Sequence, residues 1–301
     1  MTAQDQNRPL AGILWMLVTG LCFVVVTGVV RHLGTGLPAA QSAFIRFVYG
    51  ILFLAPMLLP ALKRGIAPLV WKLALTRGVL HVMAVVLWFY AMARIPVAEV
   101  TAIGYLNPIV VTVGAALFLG EKLAFRRMAA IAIALVGAVV ILRPGFREIT
   151  EGHLSQLGAA ICFGLSFLFA KRLSALAAPG TIIALLALMV TVGLAPLAWA
   201  VWVPPTWEQL GWLAVVAGFA TIGHYTMARA FAAAPLTVTQ PVTFLQLVWA
   251  TLLGWFAFGE VVDPLVLAGG AMIIAAISYM TWREAQLKRR AVTPPPVAAK
   301  F

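Results

Sequence analysis

The chain has few charged residues, and acidic residues are the scarcest of them. Of its 301 residues, 10% are charged and 63% are hydrophobic, and 9 acidic residues stand against 21 lysines and arginines. A soluble domain carries about 25% charged residues. The shortage of charge therefore excludes a soluble globular domain and predicts an integral membrane protein.

The sequence also lacks the signatures of hydrolases and of metal sites. It contains no G-x-S-x-G, no H-E-x-x-H and no cluster of metal-ligating residues, so we predict that the protein is not an enzyme and uses no cofactor or metal ion. Its two cysteines, Cys22 and Cys162, both fall inside apolar runs. A disulfide or a metal site needs more ligands or an oxidising loop position, so we interpret both as small packing residues.

Long apolar runs fill most of the chain. Each is about 20 residues long, which is enough to cross a hydrocarbon core of about 30 Å. The connections are too short for a soluble domain, and they leave an N-terminal tail (1–9) and a basic, proline-rich tail (283–301). The predicted spans are 10–31, 37–59, 69–92, 97–119, 124–142, 153–172, 180–203, 208–230, 236–258 and 264–282.

The basic residues are concentrated on one side of these spans. With the N-terminus in the cytoplasm, most lysines and arginines are cytoplasmic, and the outer side holds only Arg31, Arg94, Arg143 and Arg147. This positive-inside bias predicts a multi-pass protein of a bacterial-type inner (plasma) membrane with both termini in the cytoplasm. It also accounts for most of the net charge of +12, so we expect the lipid bilayer and no nucleic acid as a partner.

The two halves of the chain resemble each other at a nearly constant offset. At an offset of 140, "GLCFVVVTGVVRHL" (20–33) aligns with "AICFGLSFLFAKRL" (160–173). At an offset of 139, Tyr105 aligns with Phe244, and the Gly-Glu pair that contains Glu121 aligns with the pair that contains Glu260. A near-constant offset over such a length indicates an internal repeat.

Each half, 10–142 and 143–282, contains five predicted spans. Because five is an odd number, the second half enters the membrane from the opposite side, as in the inverted repeats of secondary transporters. The predicted fold is all-α, with ten transmembrane helices in two inverted five-helix repeats around a central cavity. The last span of each half (124–142 and 264–278) is rich in alanine and glycine, which predicts packing or dimerisation helices outside the pathway, in a monomer or a homodimer.

Arg46 lies in the middle of the second predicted span. A charge at this depth costs roughly 2.5–3.5 kcal/mol on insertion scales, and Ser42, Tyr49 and Phe53 share its helical face. The side chain either snorkels to water or backbone carbonyls, or it faces a transport pathway. The aligned residue of the second half is Leu186, so the fold does not require the charge. We predict that Arg46 and Tyr49 bind substrate.

The third predicted span carries Arg77, His81 and Trp88 on one face. Arg77 either snorkels toward the cytoplasmic interface or faces the cavity. His81 is a binding donor, a group that titrates near neutral pH, or a satisfied core residue. We predict a binding role for His81 and Trp88 and a gating role for Arg77.

Further polar residues lie near mid-membrane in later spans. Asn107–Pro108 removes a helical hydrogen bond, which predicts a kink that can serve as a hinge. On the eighth span, one of His224 and Tyr225 is expected to face inward. The remaining predicted substrate contacts are Tyr105, Asn107, Thr243, Gln246 and Trp249, and the predicted gating or hinge residues are Pro108 and His224.

Three acids lie at or near the ends of spans. We interpret Glu121 and Glu260, which belong to the repeated Gly-Glu pairs, as structural residues that cap a helix or pair with a cation. Glu99 lies within a turn of the outer end of the fourth span. We expect it to be solvated, with gating or coupling as the alternative.

Several motifs resemble one transporter family. Two five-span inverted repeats with a Gly-Glu pair after each fourth span ("LFLGEKL" and "FAFGEVV") resemble the drug/metabolite transporter superfamily, and within it the EamA-type ten-helix branch. "FYAMARIPVAEVTAIGYLNPIV" (89–110) and "VTFLQLVWATLLGWFAFGE" (242–260) also look like this family, and the resemblance covers 10–282. It implies a carrier similar to the aromatic and neutral amino-acid exporter group, or to importers of riboflavin or S-adenosylmethionine.

The predicted cavity presents hydrogen-bond donors and aromatic walls but no acid. Arginine binds carboxylates through two parallel hydrogen bonds, so a zwitterionic or carboxylate-bearing metabolite fits better than a lipophilic cation. We therefore expect a secondary transporter that exports amino acids or related small metabolites by alternating access. Import of a larger metabolite such as riboflavin or S-adenosylmethionine is the alternative. Facilitated diffusion and coupling through His81 are both compatible with the missing acid.

Overall fold

A computed structural model describes residues 9–119, 125–146, 148–173, 176–234, 239 and 242–292. Within these ranges the chain forms α-helices joined by short loops. The helices are α1 (Pro9–Leu33), α2 (Ala39–Lys63), α3 (Pro68–Met92), α4 (Val97–Gly104), α5 (Asn107–Leu119), α6 (Phe125–Leu142), α7 (Glu151–Leu173), α8 (Pro179–Ala200), α9 (Trp207–Ala233), α10 (Leu245–Phe258) and α11 (Pro264–Val292).

The helices follow the apolar runs of the sequence. In the described residues, eight helical stretches are long and apolar enough to cross a membrane, and Met128–Leu142 and Leu245–Phe258 are shorter apolar helices. Lipid offers no hydrogen-bond partner to a backbone, so an apolar run satisfies its own N–H and C=O groups by becoming a helix. The predicted all-helical membrane fold is confirmed.

The fourth span is interrupted where the Asn107–Pro108 pair predicts a kink. α4 ends at Gly104, and tight bonds from the Tyr105 amide to the Ala102 carbonyl (3.2 Å) and from the Leu106 amide to the Ile103 carbonyl (3.0 Å) lead into α5. In the second half, Phe244 lies in a turn before α10. Phe244 is the repeat equivalent of Tyr105, so both halves break at the same point.

The packing of the helices follows the internal repeat. α1 packs mainly on α9, and α3 packs on α7, which is the same interface with the two halves exchanged. α2 packs on α8, and α6 packs on α11, each against its own repeat equivalent. Such a pattern is expected of two repeats related by an axis in the membrane plane.

α6 and α11 approach each other closely through two glycines. A Cβ atom on Gly137 would lie 2.7 Å from the Gly269 carbonyl oxygen, and one on Gly269 would lie 2.5 Å from the Gly137 carbonyl oxygen. Only residues without a side chain allow this approach. The two alanine- and glycine-rich helices therefore pack on each other within one chain.

The helix ends define two faces of the bundle, each named here after the loop between two helices. The face with the loop between α1 and α2, called the α1–α2 face, carries the loops that follow α1, α3, α6, α8 and α10. The α2–α3 face carries the loops that follow α2 and α7, together with the start of α1 and the end of α11.

Candidate functional site

Four basic side chains converge between α2, α3 and α9. Arg77 lies one helical turn before His81 on α3, and Arg46 covers Phe47, whose ring packs edge-on against His81 at 6.1 Å. His224 of α9 lies near enough for its charge to act on His81. These four residues are called the basic cluster below. Because they come from both halves of the chain, the cluster lies where the two repeats meet.

Arg46 is half-buried and covers the ring of the next residue. Its guanidinium carbon lies 4.2 Å from the centre of the Phe47 ring, within the range of a cation–π interaction. Among the described residues, no hydrogen bond or ion pair engages this guanidinium. Within the described part of the chain its donors are unused, and its substrate-binding role stays a prediction.

His81 is buried (8% exposed) against α2 and α7. Its Nδ1 atom lies 3.2 Å from the Ser166 hydroxyl oxygen, and its ring packs edge-on against Phe47 (6.1 Å) and Phe163 (5.1 Å). The hydrogen bond to Ser166 fixes the orientation of the ring. In the described part of the chain, the Nε2 atom has no hydrogen-bond partner. His81 is thus packed in the core with one hydrogen-bond partner, and its role as a donor to substrate stays a prediction.

His224 occupies a similar setting in the other half. Its Nδ1 donates to the Ala220 carbonyl oxygen (2.6 Å), and its ring packs edge-on against Phe23 at 5.2 Å. Phe23 and Phe163 are repeat equivalents, so each histidine lies beside the same phenylalanine of the opposite half. Tyr225 is 51% exposed, so His224 is the member of the pair that faces inward.

Arg77 lies one helical turn from His81 and is 7% exposed. Its Nε and Nη1 atoms are buried and have no hydrogen-bond partner among the described residues. A snorkelling arginine keeps its charged end in water, which this side chain does not. Arg77 is therefore a buried member of the basic cluster, and its cavity-facing and gating roles stay predictions.

A second group of predicted residues lies where the two broken spans meet. The Tyr105 hydroxyl lies 3.4 Å from the Thr243 carbonyl oxygen and 3.3 Å from that of Phe244, and its ring packs edge-on against Phe244 at 5.5 Å. The hydroxyl is thus already used by the backbone. The Asn107 Oδ1 atom is buried without a partner among the described residues, so Asn107 has unused hydrogen-bonding capacity.

The other predicted contacts are half-buried. Tyr49 and Trp88 pack against the main core of the bundle, where Trp88 lies edge-on to Phe89 at 5.3 Å. Gln246 and Trp249 lie on α10, and Pro108 lies in the first turn of α5. No hydrogen bond, ion pair or ring contact among the described residues joins these side chains to the basic cluster, and their substrate and hinge roles remain predictions.

The acids whose side chains the structure describes all lie at the α1–α2 face. They are Glu99, Glu148, Glu151, Glu208, Glu260 and Asp263. Glu121 lies outside the described residues. The basic cluster therefore has no carboxylate of the protein beside it in the described part of the chain.

Glu260 pairs with a cation and caps a helix, as its position in the Gly-Glu motif predicts. One oxygen lies 2.9 Å from the Arg31 Nη2 atom, and the other accepts the Val97 amide at the start of α4 (2.9 Å). Gly259 adopts a left-handed conformation (φ 63°) that turns the chain after α10.

The expectation that Glu99 is solvated is wrong. Glu99 is 4% exposed, and its carboxylate lies 2.8 Å from the His153 Nε2 atom at the start of α7. The expectation assumed a water-exposed helix end. It failed because the partner comes from the other half of the chain, and the packing of α7 on α4 covers the carboxylate.

A cavity of about 400 Å³ opens between α2 and α3 at the α1–α2 face. Arg94 and Tyr90 line its rim, and its lining includes Ser42 of α2. Ser42 is one helical turn above Arg46 but is itself buried, and Arg46 does not line the cavity. The cavity stops short of the basic cluster.

Some residues around the cluster are not evident from the sequence pattern. Ser166, Phe47 and Phe163 contact His81, but each is an ordinary residue of an apolar span. The repeat alignment of Phe163 with Phe23 is the one sequence feature that could have pointed to these two rings, which pack on His81 and His224. Arg31 and Glu260 could not be paired from sequence, since they are far apart along the chain.

The geometry can be compared with known proteins. The EamA-like transporter family model matches residues 10–143 and 150–282. The chain belongs to the EamA-like transporter family. The match covers both repeats and the basic cluster, and it confirms the resemblance noted in the sequence. The protein is thus a membrane transporter.

Relatives in this family carry different substrates. The chain is 32% identical over 297 residues to a riboflavin transporter of Rhizobium johnstonii, covering 96% of both chains. It is 27% identical over 271 residues to the pseudopaline exporter CntI of Pseudomonas aeruginosa (88% of this chain, 94% of the relative). It is 24% identical over 275 residues to an S-adenosylmethionine uptake transporter of Rickettsia prowazekii (91% and 94%). The relatives include both importers and exporters.

Proposed function

We propose that this transporter exports amino acids or related small metabolites that carry a carboxylate. The observation that carries the proposal is the Arg46 guanidinium, which has no hydrogen bond or ion pair among the described residues and lies in a basic cluster beside which the described part of the chain places no acid. A cation inside the membrane is costly unless it is paired or reaches water. A substrate carboxylate would supply the missing charge and accept two hydrogen bonds from one guanidinium.

The surroundings of Arg46 suit the rest of such a substrate. Phe47 and Phe163 supply aromatic surface, and His81 and Ser166 supply polar groups beside it. Binding sites for small molecules are commonly apolar with a few placed polar groups. An amino acid presents both a charged end and a side chain to such a site.

The proposed transport cycle is alternating access. The broken spans at Tyr105 and Phe244 are the elements best placed to bend, since discontinuous helices line the sites of many transporters. From the distribution of Lys and Arg we propose that the α1–α2 face is periplasmic and that both termini are cytoplasmic.

Import of riboflavin is the second candidate. It is favoured by the 32% identity to a riboflavin transporter over nearly the whole chain, and the phenylalanine rings around His81 suit a flat aromatic ligand. S-adenosylmethionine fits less well, because its sulfonium charge would be placed beside arginines that repel it.

A counterflow experiment tests the proposal. Purified protein in liposomes is expected to exchange at least one amino acid roughly tenfold faster than the amine that has the same side chain and no carboxylate, such as phenylalanine against phenethylamine. This is the ratio that one charge-assisted hydrogen bond can produce. Liposomes without protein are the control. Exchange of riboflavin but of no amino acid would replace the first candidate with the second, and a pH jump on the same vesicles shows whether protons move with the substrate.

A further inference from the structure

Arg77 gives the basic cluster a second permanent cation. Resting on the proposed function, we propose that the transported substrate carries two anionic groups, one bound by Arg46 and the other by Arg77. The substrate class is then a dicarboxylate or a phosphorylated metabolite and not a simple neutral amino acid.

The state of the Arg77 side chain is the first support. The residue is 7% exposed, and two of its guanidinium nitrogens are buried without a partner among the described residues. Buried polar groups are hydrogen-bonded in the great majority of cases. A buried guanidinium without a partner in the described part of the chain can take its hydrogen-bond acceptor from a bound substrate.

The charge balance of the site is the second support. Arg46 and Arg77 both remain charged in any protein environment of ordinary pH. Arg46 lies over the Phe47 ring, which packs against His81 at 6.1 Å, and Arg77 is one helical turn from His81, so the two cations belong to one site. The acids with described side chains lie at the α1–α2 face, where Glu260 and Asp263 are already paired with arginines. A ligand with one negative charge would leave one cation uncompensated.

Matched pairs of substrates test the charge requirement. Glutamate and glutamine differ by one carboxylate, and riboflavin 5′-phosphate and riboflavin differ by one phosphate. We expect counterflow of the more anionic member to exceed that of its partner by roughly tenfold in at least one pair. Arg77→Gln is expected to remove this preference and to keep the exchange of the less anionic member.

Three outcomes distinguish this inference from the proposed function. Exchange of glutamine or riboflavin with no preference for the more anionic partner overturns the inference and leaves a transporter of less charged substrates. If Arg77→Gln reduces the counterflow of both members of a pair equally, Arg77 does not bind the second anion. Failure to exchange any of the four compounds overturns the inference, and the proposed function is contradicted as well if no other carboxylate-bearing amino acid is exchanged. Arg64→Gln, which alters an exposed arginine at the end of α2, is the matched control and should behave as the native chain.

An independent observation concerns the α1–α2 face, where one ion pair joins four segments. Arg31 at the end of α1 pairs with Glu260 after α10, and it also donates to the Met92 carbonyl oxygen at the end of α3 (3.2 Å). Glu260 in turn accepts the Val97 amide at the start of α4. Separation of these helix ends therefore requires this contact to break.

Packing against Gly254 and a backbone hydrogen bond hold the Glu260 carboxylate in place. A Cβ on Gly254 would lie 2.4 Å from a Glu260 carboxylate oxygen, so the carboxylate folds closely over α10. The Glu260 amide donates to the Gly254 carbonyl oxygen at 2.9 Å. The repeat aligns Arg31 with Lys171 and Glu260 with Glu121, so both halves carry this pair of charges in sequence. Glu121 and the Lys171 side chain lie outside the described part of the chain.

From this we infer that Arg31 and Glu260 form a latch that holds the α1–α2 face shut and opens when substrate passes that face. Arg31→Met tests the latch, because it removes the ion pair and leaves the contact between Glu260 and Val97 in place. Hydrogen–deuterium exchange in nanodiscs is expected to become about five times faster in peptides spanning 89–104. Exchange in peptides spanning 57–72, at the opposite face, is expected to become slower, because opening one face closes the other.

The reciprocal change separates a latch from simple loosening. Faster exchange at 89–104 without slower exchange at 57–72 would show that Arg31 only stabilises its neighbourhood, and unchanged exchange at both would also overturn the latch. Arg143→Gln is the control, since Arg143 pairs with Asp263 at the same face but between α6 and α11. Arg143→Gln should leave hydrogen–deuterium exchange in peptides spanning 57–72 at the rate of the native chain.

Discussion

Arg46→Ala is expected to reduce counterflow to the level of liposomes without protein. A hydrogen bond to a charged group contributes about 1.5–3 kcal/mol, so losing a carboxylate contact made of two such bonds weakens binding by roughly 100-fold or more. At a substrate concentration that half-saturates the native chain, almost no substrate would be bound. Counterflow of the amino acid that the native chain exchanges fastest is the measurement.

The substituted protein is expected to fold. No described residue loses a hydrogen bond or an ion pair with Arg46, and the repeat equivalent, Leu186, is a buried apolar residue. Arg46→Lys keeps the charge but not the fork of donors, so its counterflow should lie between those of Arg46→Ala and the native chain. Normal counterflow in Arg46→Ala, with the same elution volume on size exclusion, would contradict the carboxylate contact.

The fold of this chain could be predicted from its sequence because membrane folding leaves a strong signal. Length and lack of charge give the spans, and the near-constant offset gives the repeat and its inversion. The break at Asn107–Pro108 was predictable because proline removes a backbone donor. In the second half, the break at Phe244 follows from the alignment with Tyr105 and has no local signal of its own.

The candidate site could be predicted only in part, because a helix face can be derived from spacing but a partner cannot. Spacing placed Arg77 and His81 on one face of α3, and the structure adds Arg46 and His224 from other helices. The burial of Glu99 depends on His153, which is close only after the two halves pack. Contacts between helices of different repeats require the tertiary structure, and they decide whether a polar residue is solvated, paired or available.

A larger side chain in the close contact between α6 and α11 is expected to destabilise the protein strongly. Gly269→Leu is expected to lower the melting temperature by about 10 °C. The new Cβ would lie 2.5 Å from the Gly137 carbonyl oxygen and 2.7 Å from the Ile141 Cγ1 atom. A backbone oxygen cannot rotate away as a flexible side chain can, so the two helices must separate. Overpacking costs about 1–3 kcal/mol or occasionally more, and 3 kcal/mol corresponds to roughly 6–12 °C in a protein of this size class.

Tryptophan fluorescence on heating in detergent measures this effect, with Gly211→Leu as the matched control. A Cβ on Gly211 meets no atom within 4 Å, and leucine favours helix more than glycine does, so the control should melt at or slightly above the native temperature. Because α6 and α11 are expected to lie outside the pathway, the folded fraction of Gly269→Leu should transport with the native KM. A melting temperature within about 2 °C of the native value would mean that the helices separate at little cost. A changed KM at normal stability would instead place α11 in the transport pathway. The pathway would then have to extend beyond the basic cluster to reach α11.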